Sequence, residues 1–150
     1  MGNKSKKAEP NMVSDATVEQ ITGYHFHDID LMHEAITAAG MGSNGNKRLA
    51  LVGDALIRLV TIDDWYPSGK SPADGQKSFT EIGTNEVLSL HGREQGVADI
   101  IVHNPCHGRS IPKTTLASSM EAIIGAVWVD SGKSLMDVRR VMQNLHILQD

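Results

Sequence analysis

Apolar residues recur at helical spacing over most of the chain, most clearly between residues 46 and 60, NKRLALVGDALIRLV. Leu49, Val52, Leu56, Leu59 and Val60 fall on one face there, the spacing of a buried stripe. The pattern predicts a central helix from about Lys47 to Trp65. Upstream, Ser14 or Asp15 is expected to cap a short helix ending near Ile21. Residues 28–39 form the next, with Ile29, Met32, Ala35, Ile36 and Ala39 on its stripe. Gly40 to Gly45 reads as loop, and so does the break from Pro67 to Pro72, extended by Asp74-Gly75. A helix is expected from Gln76 to about Leu90, running on to Glu94 at most. Val97 to Val102 fits strand and helix equally, and His103 to Pro112 reads as loop. Thr115 to Val129 is the second strong helix, burying Leu116, Met120, Ile123, Ile124, Val127 and Trp128. Ser131-Gly132 ends it, and an amphipathic helix spans Leu135 to about Leu145. The expected fold is all-α, a bundle of six to eight helices over residues 13–150, with residues 1–12 a solvated tail.

Composition agrees with that picture. With two Phe, two Tyr and two Trp in 150 residues, the core must come from Leu, Ile, Val, Met and Ala, which suits helices better than a sandwich. One domain of this length can bury a core without staples. The single Cys106 excludes an internal disulfide and fits a reducing compartment or an inert thiol, and an intracellular location is expected. No apolar run reaches the roughly 18 residues that a membrane span needs. The opening MGNKSKKAEPN has no apolar segment, so it is not expected to be a secretory signal. Lys6 also stands where the myristoylation pattern requires Ser or Thr. A net charge of −4 opposes strong unaided binding to nucleic acid.

Two locally unfavourable residues interrupt the central stripe. Gly53 inside a helix costs about 1 kcal/mol against alanine. Asp54 is a carboxylate on an apolar face, costly unless paired, hydrogen-bonded or bound to metal. Glu121 repeats the situation in ASSMEAIIGAVW, with Gly125 close by. Small residues at both places permit close approach of the two helices. A crossing there would bring the carboxylates together in a low-dielectric cleft, where a pair shares a proton or binds a hard cation such as Mg²⁺. The competing reading has each acid capping a loop or pairing with an arginine such as Arg48 or Arg58.

Other clusters of chemistry-bearing residues have plainer readings. His25, His27, Asp28 and His33, with His103, Cys106 and His107, are metal-ligand types. They lack the paired close spacing of a closed zinc site and read as surface histidines. Lys4, Lys6 and Lys7 read as a solvated tail. His91, Arg93, Lys113, Arg139 and Arg140 are scattered cations whose clustering depends on the fold.

The stretch Asn46-Lys47-Arg48-Leu49-Ala50-Leu51-Val52-Gly53-Asp54-Ala55 resembles the ribonuclease III signature, NERLEFLGDA. Leu31 to Thr37 is similar to that family's LLEQALTH segment, and Thr84-Asn85-Glu86-Val87-Leu88 to its LVSNxxL helix. Ala117 to Asp130 resembles ADxxEALIGAIYLD. The segments keep the family's order over about residues 20–145.

The resemblance implies a homodimeric, Mg²⁺-dependent (or Mn²⁺-dependent) endonuclease for double-stranded RNA, with four acids at the metal. Those acids sit at i and i+4 on one helix and i and i+3 on the other, each pair on one face. Asp54 and Glu121 match two of them, as catalytic and metal-binding residues, but Ala50 and Ser118 stand at the other two. Lys47 replaces a further nearby acid of the signature. The expected result is weak metal binding and slow or absent hydrolysis, unless Asp30, Glu34 or Asp74 folds into the cleft. Leu51 takes the place of a family phenylalanine at the dimer interface. The chain ends near residue 150 without room for the separate double-stranded-RNA-binding domain of many relatives, so RNA affinity is expected to be weak and salt-dependent. Two alternatives stand beside this: an active nuclease with a rearranged site, and a non-catalytic ribonucleoprotein or protein-interaction scaffold.

Overall fold

The amphipathic stretches fold as seven α-helices among the residues that the computed structural model describes, 12–40, 43–103 and 110–149. They are α1 (Met12–Thr22), α2 (Ile29–Ile36), α3 (Lys47–Trp65), α4 (Pro72–Gly83), α5 (Asn85–Glu94), α6 (Lys113–Asp130) and α7 (Leu135–Asn144). Single 3₁₀ turns lie at Tyr66–Ser68 and Val97–Asp99. Among the described residues, β pairing is confined to isolated bridges, Thr37 with Val102 and Gly40 with Ser43.

α6 is apolar on every side, with Leu116, Ala117, Met120, Ala122, Ile123, Ile124, Ala126 and Val127 all buried. A helix of that kind belongs at the centre of a domain, and α2, α3, α5 and α7 pack around it. Its most extensive partner is α3. The glycines account for the intimacy of that contact. A Cβ on Gly53 would overlap the Glu121 carbonyl oxygen, and one on Gly125 would overlap the Leu49 carbonyl oxygen. Each glycine therefore lets one helix backbone rest against the other.

A buried polar clasp fixes the start of α3. Asn46, only 1% exposed, donates its Nδ2 to Ala35 O at 2.9 Å and to Ser119 Oγ at 3.0 Å. Ser119 in turn donates to Thr115 O at 2.8 Å. The clasp joins α2, α3 and α6, and it satisfies polar groups whose burial would otherwise be costly. At the other end of α6, Asp130 accepts from Tyr24 OH at 2.7 Å and from the His27 and Asp28 amides at 2.9 and 2.8 Å.

Several expectations are corrected. The stretch expected to be one helix from Gln76 to Leu90 is two, α4 and α5, broken at Thr84, whose backbone is extended and whose Oγ1 caps α5 by accepting from the Val87 amide at 3.2 Å. Asp74-Gly75 belongs to α4 rather than to a break, because Ser71 and Asp74 form a capping box around Pro72. The helix expected over 28–39 stops at Ile36, where Thr37 turns extended to bridge Val102. Val97–Val102 resolves into a 3₁₀ turn and that bridge. Leu59 is 51% exposed, and Trp128 and Val52 are only partly buried. α1 begins at Met12, inside the stretch expected to be tail; residues 1–11, with Lys4, Lys6 and Lys7, lie outside the described residues.

Candidate active-site cleft

The crossing of α3 and α6 opens a cleft of about 320 Å³ lined by Lys47, Ala50, Leu51, Asp54, Ser118 and Glu121. α3 supplies residues 47, 50, 51 and 54 from one face, and α6 supplies 118 and 121 one turn apart. Every position that the signature comparison marked as retained or replaced therefore comes together. Asp30, Glu34 and Asp74 do not line the cleft; Asp74 is held in its capping box with Ser71. Asn46 lies beneath it in the buried clasp, while Asn85 is an exposed residue at the start of α5.

Asp54 and Glu121 are hydrogen-bonded to each other. Neither pairs with an arginine among the described residues: Arg58 instead stacks 4.7 Å over the Phe79 ring and donates to Gln76 at 3.2 Å. Burial pushes the Glu121 carboxyl up to about 8, and the hydrogen bond and charge of Asp54 reinforce it. At neutral pH Glu121 thus keeps its proton and donates a hydrogen bond to Asp54, and the pair carries close to one negative charge.

This arrangement fixes a pH dependence. A carboxyl with a folded value above its unfolded one binds more protons when folded, so its contribution to stability is complete below the ordinary glutamate range. That contribution is lost as pH rises toward about 8. Glu121→Gln should flatten the fall in melting temperature between pH 5 and 8.5, as followed by circular dichroism. An equal fall in both proteins would contradict the shared proton.

As a donor set for Mg²⁺ the cleft is sparse. It offers two carboxylates sharing a proton, one hydroxyl and a methyl group, with the Lys47 ammonium on the same wall. No group of three or more His, Cys, Asp or Glu that could hold a metal ion occurs among the described residues. One ion bound loosely through Asp54, Glu121 and water is the most that these residues fit.

The remaining candidates are tied up locally. His33 Nε2 meets Asp15 at 2.9 Å and His25 Nδ1 meets Glu19 at 3.0 Å, while the His27 ring edges that of His25. Arg139 pairs with Asp64 at 2.8 Å, Arg140 with Asp137 at 3.6 Å, Lys113 with Glu86 at 2.9 Å and His91 with Glu94 at 3.8 Å. Arg93 donates to Ile111 O at 2.9 Å. Each of these cations is therefore engaged by a local partner. His103 keeps a buried Nδ1 without a partner among the described residues; Cys106 and His107 lie outside them. The sequence reading missed Thr114 and Thr115, which stand beside the cleft with Lys47 and Ser118. Two hydroxyls just ahead of an apolar run were the available signal.

The chain is 32% identical over 130 residues to ribonuclease 3 of Vibrio atlanticus, covering 83% of this chain and 57% of that protein. It is 30% identical over 132 residues to ribonuclease 3 of Idiomarina loihiensis, covering 85% and 57%. In fold it matches two solved nuclease domains of ribonuclease III from Campylobacter jejuni. One has a TM-score of 0.71 at 24% identity, covering 85% of this chain and 95% of that one. The other has 0.74 at 22%, covering 87% and 92%. The chain carries a ribonuclease III-type nuclease domain. No family model matches it. The ribonuclease III-type domain spans somewhat more than half the length of the curated relatives that it matches, 57% for the two above. Within it, Leu51 stands 74% exposed on the cleft rim, and Tyr66 at the end of α3 is 78% exposed. No described helix is long and apolar enough to cross a membrane.

Proposed function

We propose that this ribonuclease III-type domain associates with double-stranded RNA as a homodimer and hydrolyses it weakly or not at all. The carrying observation is the cleft itself: Asp54 and Glu121 face each other across α3 and α6, and the other walls are Ala50, Ser118, Lys47 and Leu51. The curated relatives are ribonucleases, which supports RNA as the substrate class. A divalent ion, where bound, would polarise a phosphoryl oxygen and lower the pKa of a bound water. Of the chain's own residues, Asp54 accepts a hydrogen bond from the Glu121 carboxyl, and the pair together carries close to one negative charge. Ser118 offers a hydroxyl to water, and Lys47 supplies a cation where further acids would be needed. That set tolerates phosphate better than it activates a nucleophile.

Self-association is supported by the exposed apolar residues Leu51 and Leu59 on α3 and Tyr66 just beyond its end. A solved Campylobacter jejuni nuclease domain has a region involved in dimer formation. Two-fold pairing through α3 would bring the two clefts into one groove.

Labelled duplex RNA separates the readings. The proposal expects a complex that weakens steeply between about 50 and 200 mM salt, with no cleavage in Mg²⁺ or Mn²⁺. Cleavage abolished by Asp54→Asn would instead establish an active nuclease, and a dimer that neither binds nor cuts duplex would establish a scaffold.

A further inference from the structure

Beside the acidic cleft lies a second cavity, of about 290 Å³, lined by Ala39, Asn46, Lys47, Thr114, Thr115 and Ser118. It shares Lys47 and Ser118 with the cleft, yet no carboxylate lines it. The Lys47 ammonium has no ion pair or hydrogen bond with any described residue, and the hydroxyls of Thr114, Thr115 and Ser118 are equally free among them. Behind them Asn46 is 1% exposed and pinned through Nδ2 to Ala35 and Ser119, so the back wall is rigid. Its Oδ1 has no described donor. The cavity therefore presents one cation and three hydroxyl donors converging on a space at the lower end of ligand-pocket sizes, roughly 300 Å³. The ligand chemistry that answers such a set is a compact oxyanion, which accepts from every one of these groups and neutralises the ammonium.

We propose that this cavity seats a phosphate group of an RNA strand, with Lys47 as its charge partner and Thr114, Thr115 and Ser118 as its hydrogen-bond donors. A terminal monoester and a backbone diester share that chemistry. Lys47 stands where the family signature has an acid, so the replacement that depletes the cleft of negative charge also creates the anion site. Seating does not depend on duplex association: a chain that ignores duplex RNA can still hold phosphate here, and a duplex-binding chain can leave the cavity empty.

The test is a titration of ¹⁵N-labelled protein with inorganic phosphate, against chloride at matched ionic strength. Saturable shifts are expected at the amides of Lys47, Thr114, Thr115 and Ser118, with affinity at least about tenfold weaker in Lys47→Gln, since hydrogen bonds to charged groups are the strong ones. Lys47 is exposed, so the variant should keep its fold, verified by unchanged amides elsewhere. Thr114→Val should weaken binding less. A short oligoribonucleotide with a 5′-phosphate is then compared with its 5′-hydroxyl counterpart as a competitor. Advantage for the phosphorylated strand assigns the site to a terminal monoester, and equal competition assigns it to the backbone. Non-saturating shifts, shifts indifferent to Lys47→Gln, or failure of both strands to compete would overturn the proposal.

Discussion

Converting Ala50 to glutamate and Ser118 to aspartate in one chain is expected to raise duplex-RNA cleavage in Mg²⁺ by at least about 10²-fold, because residues that merely support a metal's ligands are each worth roughly 10–100-fold. Both positions line the cleft that already holds Asp54 and Glu121. Ala50 precedes Asp54 by one helical turn, and Ser118 precedes Glu121 by one, so the new carboxylates would project to the same open volume of about 320 Å³. Two added anions would double the acidic donors, and the cation that they help to hold would compete with the proton that Glu121 now shares with Asp54. Lys47→Glu should add to the gain by removing the cation from the wall. The readouts are the cleavage rate and the Mn²⁺ affinity of each variant. A well-folded double variant no more active than its parent would show that something other than missing carboxylates limits the chemistry.

Gly53→Ala is expected to destabilise the domain by about 3 kcal/mol, the upper part of the usual overpacking range, and to lower the melting temperature by about 6–12 °C. The added methyl would meet the Glu121 carbonyl oxygen, which is helix backbone with no rotamer to give way. The α3–α6 crossing must then widen, and Asp54, the next residue, loses its hydrogen bond to Glu121. Gly125→Ala should act in the same direction through the Leu49 carbonyl oxygen. Alanine's better helix propensity, worth about 1 kcal/mol, does not offset a backbone collision. Thermal unfolding of the two variants checks this; melting points within a degree or two of the parent would mean that the helices are not held in backbone contact.

The sequence carried the heart of this arrangement because local chemistry and packing agree there. The helix expected from Lys47 to Trp65 is observed with those bounds, and the two glycines expected to allow close approach are the ones at the crossing. Asp54 and Glu121 meet there as one of the two open readings required. What was misread has local causes. Pro72 by itself reads as a breaker, whereas after Ser71 and ahead of Asp74 it is a helix start. Thr84 does not stand out in an apolar pattern that continues through it, although its extended backbone ends one helix and its side chain caps the next. Leu59 shows the limit of periodicity, which marks an apolar face without saying whether this chain or another molecule covers it. The cavity beside Lys47 had no signature of its own, since it exists only once the first turn of α6 is placed against the start of α3.

Crystals soaked in Mn²⁺ test the central claim most directly, through the anomalous signal at the cleft. The account predicts at most one partially occupied ion, touching Asp54 and Glu121 and otherwise coordinated by water. Two full-strength peaks, or one completed by a third carboxylate from elsewhere in the chain, would contradict it.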